Sequence, residues 1–164
     1  MALLAVSACG GGGTYQGGVY RDREATYGIG ELGRDWESIE IGDENDLAFR
    51  NESLGAIVQV NASCDPALDI PLEALTNHLL IGFTEREDVE PQSRIPLDER
   101  EALRTHVLAK LDGVPRELLL YVLKKDECVY DFALVAPPRS GGFERARPGF
   151  ESMVAGFHAG ARGH

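Results

Sequence analysis

The chain has 164 residues and a formal net charge of −11 at pH 7, which is enough for one hydrophobic core in a single domain. That charge speaks against nucleic acid as a partner, since phosphates would be repelled and Lys124-Lys125 and Arg145 to Arg147 are only isolated basic clusters. Hydrophobic residues make up 43 % and charged residues 26 %, an ordinary globular composition in which no run approaches the roughly 18 apolar residues of a spanning helix.

Val6-Ser7-Ala8-Cys9, followed by Gly10 to Gly13, reads as a lipoprotein processing box. Small residues before a cysteine suit a signal peptidase, and the thiol can take a diacylglycerol. Residues 1–8 are then the remnant of a signal peptide. They are too short and carry no Lys or Arg, so the h-region is expected to start upstream of Met1. Residues 9–18 become a lipidated cysteine with a glycine-rich tether, leaving one domain over 19–160. Two or more acyl chains hold a protein stably on a membrane. Gly10, where an inner-membrane retention signal would show Asp, favours the outer membrane over the inner. The competing reading is a ragged apolar start to a cytosolic protein. With Cys9 used for the anchor, Cys64 and Cys128 remain as an even pair that suits a disulfide in an oxidising compartment; the alternative is two buried thiols.

Along the domain, Ala25 to Glu31 and Trp36 to Ile41 read as the first two strands, turned at Gly33-Arg34-Asp35. Leu47-Ala48-Phe49 and Ala56 to Val60 read as a second antiparallel pair, split by the turn composition of Asn51 to Gly55. The period then changes. Leu72, Leu75 and Leu79 fall at helical spacing between Pro71 and Gly82. Leu103 to Ala109 and Glu117 to Lys124 flank Asp112-Gly113, a hairpin signal, and Tyr121-Val122-Leu123 is apolar on both sides, as a central strand requires. Cys128 to Val135 makes the last strand. Phe150, Met153, Val154 and Phe157 form the stripe of a closing helix, with Ser140-Gly141-Gly142 as a rim before Phe143.

Catalytic chemistry is sparse. His78, His106, His158 and His164 lack metal-ligand spacing. Asp43-Glu44-Asn45-Asp46 is rich in oxygen but lacks the distant Glu of a calcium loop and reads as a solvated turn. The run Glu85, Glu87, Asp88, Glu90 reads as an acidic surface, with a basic partner or divalent cations as the other possibility. No serine sits in a nucleophile elbow and no glycine loop follows a strand in phosphate-binding order. Trp36 and Tyr130 read as core residues before ligand platforms. No cofactor and no metal are expected.

Taken together, the Tyr27-Gly28-Ile29 strand followed by Trp36, the Asp46 to Phe49 strand, the Leu72 to Leu80 helix, the Asp112-Gly113 hairpin, the Tyr130-Asp131-Phe132 strand and the Phe150 to Phe157 helix resemble the PsbP-like superfamily over about Val19 to His158. That superfamily includes the extrinsic oxygen-evolving subunit of photosystem II, a Ran-binding yeast protein and many bacterial lipoproteins. The resemblance implies an α+β fold, an antiparallel sheet covered by helices on both faces (an α/β/α sandwich), and a non-enzymatic role as an accessory or protein-binding subunit. The expectation is therefore an envelope lipoprotein facing the periplasm, with an envelope protein as partner. The alternative is a small-molecule or lipid carrier with a cavity between sheet and helix.

Overall fold

A computed structural model describes residues 12–42, 45–139 and 141–160. Cys9, Asp43, Glu44, Ser140 and His164 lie outside the described residues, and the anchor reading rests on the first of them. The architecture is α+β, with two helices and large antiparallel sheet structure.

A small sheet is built from β1 (Thr14–Gln16), β2 (Val19–Arg21) and β3 (Thr26–Gly28). β1 and β2 turn through Gly17 and Gly18, both at positive φ, a two-residue hairpin that glycine admits without strain. Thr14–Gln16, assigned by sequence to the tether, is thus a paired edge strand. β4 (Glu37–Ser38), β5 (Leu47–Asn51) and β6 (Ala56–Ser63) follow. The expected pairing of the first two strands does not occur: β3 lies in the small sheet and β4 at the edge of the large one. Gly30 donates its N–H to the Met153 carbonyl at 2.9 Å, which carries the segment between them towards the C-terminal helix.

A 3-10 turn (Pro66–Leu68), capped by the Asp65 carboxylate on the Ala67 N–H, leads into α1 (Leu72–Leu79). Pro71 sits at the N-cap of α1, just outside the helix, and Leu72, Leu75 and Thr76 are its buried side. Two strands outside the expected elements come next, β7 (Phe83–Asp88) and β8 (Ser93–Leu97). The long hairpin of β9 (Arg100–Leu111) and β10 (Val114–Lys125) turns at Asp112-Gly113 as the dipeptide predicts, both residues at positive φ. β11 (Cys128–Ala136) precedes α2 (Gly142–Ala155) and β12 (His158–Ala159), which joins β3. α2 begins well before Phe150 and ends before Phe157.

The large sheet runs β4-β5-β6-β11-β10-β9-β7, every pair antiparallel, with β8 beside β7 along the outer edge of β9. β10 is an interior strand, as its two-sided apolar pattern requires. Alternate residues of β10 enter different clusters. Leu119, Tyr121 and Leu123 pack with Tyr27, Phe132, Phe157 and, from α2, Phe143, Phe150 and Met153. Val122 packs with Leu72 and Leu75 of α1, while Leu118 and Leu120 join Leu80, Val107 and Ala109.

Cys64 and Cys128 are disulfide-bonded. Ser63 pairs with Val129 in the β6–β11 register, so the next residue pair is already opposite, with Cα atoms 4.1 Å apart.

Candidate binding surfaces

Charged and polar side chains that come together in this fold are used mainly to lock it. His106 is 4 % exposed, its ring stacked on Phe143 with centroids 5.0 Å apart. Its Nδ1 lies 3.1 Å from the Glu90 carboxylate and its Nε2 2.8 Å from that of Glu117. Both ring nitrogens thus face carboxylates, which fixes the orientation of the ring against Phe143. Arg104 donates to Glu90 and to the Tyr121 hydroxyl, and its hydrogen bond together with that of His106 holds the Glu90 carboxyl below the ordinary range. The cluster ties β9 and β10 to α2, and it lines neither of the clefts described below.

A second network crosses β6. The Tyr27 hydroxyl donates to Asp46 at 3.0 Å, the Asp46 N–H donates to the Asn61 side chain, and Asn61 Nδ2 donates to Asp131 at 3.1 Å. Withdrawal from water raises Asp131 to about 7, the Asn61 bond lowering it and the nearby Asp46 adding to the rise. Burial likewise pushes Asp46 to about 6 against the hydrogen bonds from Ala62 and Tyr27. By sequence alone Asp46 reads as part of a solvated turn. Its partner Asn61 is fifteen residues away, across the sheet, so no local pattern could reveal the pairing.

The remaining sequence candidates are dispersed. His78 is exposed on α1 and His158 on β12; Tyr130 is buried. Glu85, Glu87 and Asp88 stand exposed on β7, which has a register shift between Thr84 and Glu87. Charge and irregularity together blunt a sheet edge against further pairing. Gly141 is the left-handed N-cap of α2, and Gly142 and Phe143 are buried in the helix. Among the described residues no group of three or more His, Cys, Asp or Glu could hold a metal ion, and no helix is long and apolar enough to cross a membrane.

The space between the large sheet and α2 is filled by Phe132, Phe143, Phe150, Met153 and Phe157, all fully or nearly fully buried. Among the described residues no carrier cavity opens there. Open concavities lie elsewhere. A groove of about 820 Å³ between the small sheet and the β4 end of the large sheet is lined by Tyr15, Ile29, Leu32, Trp36 and Phe49, with Glu31 and Arg34 in its wall. Tyr15 bridges the two sheets edge-on to Phe49, ring centroids 5.9 Å apart. Trp36, partly buried against the core, therefore also faces a groove. A cleft of about 410 Å³ beside the disulfide has Leu68, Arg100 and Lys124 in its walls, Lys124 already paired with Asp69 at 3.1 Å.

At the opposite edge of the large sheet a different surface is exposed. Phe83, Leu111 and Val114 are cross-strand partners in one line, and paired residues of a sheet point to the same side. Leu111 is 39 %, Val114 45 % and nearby Ile81 73 % exposed. Single exposed apolar residues are common in any protein, but neighbours in register form a patch of the kind that marks interaction sites.

No protein-family description and no curated protein matches the sequence. Similarity appears in solved structures. Cyanobacterial PsbP (CyanoP) from Synechocystis sp. PCC 6803 matches with a TM-score of 0.56 and 14 % identity, covering 98 % of both chains. The fold is PsbP-like. A protein from Bacteroides thetaiotaomicron matches at a TM-score of 0.57 and 13 % identity, over 84 % of this chain and 46 % of that one, so this chain spans less than half of that protein. The protein Mog1, in a point-mutant form, matches at 0.52 with 11 % identity over 88 % of this chain and 92 % of that one. The PsbP-like assignment made from the order of strands and helices is borne out.

Proposed function

We propose that this chain is a non-enzymatic envelope lipoprotein, anchored through Cys9 with the domain in the periplasm, that serves as an accessory, protein-binding module. The observation that carries the binding role is the exposed apolar line Ile81, Phe83, Leu111 and Val114, on a sheet edge that nothing in the chain covers among the described residues. An oxidising compartment is supported by the Cys64–Cys128 bond, since disulfides persist outside the reducing cytosol. A binding role is further supported by the way the titratable clusters are spent on internal ion pairs. As to layers, α1 packing with Val122 and α2 with the alternate residues of β10 supports an α/β/α arrangement with unequal helices.

The partner would be an envelope protein seated on that apolar line. Photo-crosslinking residues placed at Ile81 and at Val114 should give the same adduct in cells, and one placed at exposed Glu144 of α2 should give none. Equal labelling from all three positions, or none from any in a membrane-bound protein, would count against the reading.

A further inference from the structure

We propose that the groove lined by Tyr15, Leu32 and Trp36 rests on the polar surface of the bilayer that holds the anchor and takes a zwitterionic phospholipid headgroup. This rests on the acyl anchor at Cys9 and follows from chain length. Gly13 is already packed on the domain, because a Cβ there would overlap the Tyr20 hydroxyl. Four residue steps join it to Cys9, and an extended chain covers at most about 3.6 Å per residue, so anchor and domain surface stay within about 14 Å. Tyr15, two residues further on, is in the wall of the groove. The opposite edge of the large sheet lies six strand spacings from β4, roughly 29 Å at 4.8 Å each. A short leash therefore holds this groove near the membrane and leaves the Ile81 to Val114 surface pointing away from it.

The groove has the chemistry for that position. Trp and Tyr rings combine an apolar body with a polar edge and concentrate where membranes meet water. Leu32 and Ile29 supply apolar wall. Arg34 and Glu31 are both exposed, and neither has an ion-pair partner among the described residues. A guanidinium pairs with phosphate and a carboxylate with an ammonium group, and an ethanolamine headgroup offers both charges. The net charge of −11 would repel an anionic bilayer, which favours the zwitterionic lipid.

Trp36 is the only tryptophan, so its fluorescence reports on this groove alone. With the disulfide intact, the Cys9 thiol can be coupled to a maleimide-headed lipid in phosphatidylethanolamine and phosphatidylcholine vesicles. Trp36 emission should then shift to the blue, lose iodide quenching and gain quenching by lipids spin-labelled near the headgroup. Replacing Glu31 and Arg34 together by Ala, or Tyr15 by Ser, should reduce the lipid quenching, and Ile81→Asp should leave it unchanged. Emission and iodide quenching equal to those of the untethered protein would overturn the groove assignment while leaving the anchor standing, and stronger lipid quenching in anionic vesicles would overturn the zwitterionic preference. Protein recovered from cells without acyl chains on Cys9 would overturn the anchor and the groove assignment with it.

Discussion

The two faces of the large sheet are finished differently. On the side of Leu119, Tyr121, Tyr130 and Phe132, the fourteen residues of α2 and the small sheet seal the surface, and an aromatic cluster centred on Phe157 fills the space between. On the side of Leu118, Leu120 and Val122 the buried clusters are smaller, Val122 meeting Leu72 and Leu75, and Leu118 and Leu120 meeting Leu80, Val107 and Ala109. Ala133, Val135 and Ile57 stay partly exposed there, and Ile81, Leu111 and Val114 more so. Stability is concentrated on the sealed face, and the surface proposed above for a partner is on the other.

The largest effect should come from the sealed side. Phe157→Ala removes a ring that packs on Tyr27, Tyr130 and Phe132, and urea unfolding should show a loss of about 3–5 kcal/mol. The Cys64–Cys128 bond closes a loop of sequence separation 64 between β6 and β11. Replacing both cysteines by Ser should cost about 2–5 kcal/mol by the same measurement, if the bridge mainly restricts the unfolded chain.

A smaller effect distinguishes the half-covered side through pH. Asp131 and Asp46 have folded-state values of about 7 and about 6, above the ordinary carboxylate range near 4. The folded chain therefore binds protons that the unfolded chain has released, and stability should fall as pH rises from about 4 to about 7. Asp131→Asn keeps an oxygen to accept from Asn61 and should flatten that slope, gaining on the order of 2 kcal/mol at pH 8. An unchanged slope in urea titrations at several pH values would remove Asp131 as its cause. The smallest change in stability is expected for Ile81→Asp, within about 0.5 kcal/mol, although crosslinking from Val114 should be lost. Equal losses for Phe157→Ala and Ile81→Asp would erase the contrast between the faces.

Much of this was legible in the sequence wherever burial was one-sided or complete. β9, β10 and β11 carry dense apolar runs and a dipeptide turn, and Cys64 and Cys128 form an even pair once Cys9 is set aside. β7 was missed because all but Phe83 in Phe83–Asp88 is exposed, so no alternation is written into it. The β1–β2 hairpin was hidden by glycines that looked like a continuing tether, although Gly17-Gly18 between Tyr15 and Tyr20 is itself a turn signal. The start of α2 was obscured by Pro148 and Gly149. Pro148 removes one helical hydrogen bond, and burial of Phe143, Ala146 and Phe150 outweighs that loss. Gly149 is required because a Cβ there would overlap the Leu32 carbonyl, a contact between segments distant in the chain. Nothing local could disclose the His106 cluster either, since Glu90 reaches it from the connection after β7 and Glu117 from β10. The proposed binding surfaces were the least legible part, because Phe83, Leu111 and Val114 become neighbours only through strand register.

The mass of the mature protein isolated from cell membranes tests the central claim most directly. A chain beginning at Cys9, carrying acyl groups on that residue and lacking two hydrogens for the Cys64–Cys128 bond, is the predicted result. An unacylated chain with Met1 to Ala8 still attached, recovered from the cytosol with free thiols, would contradict it.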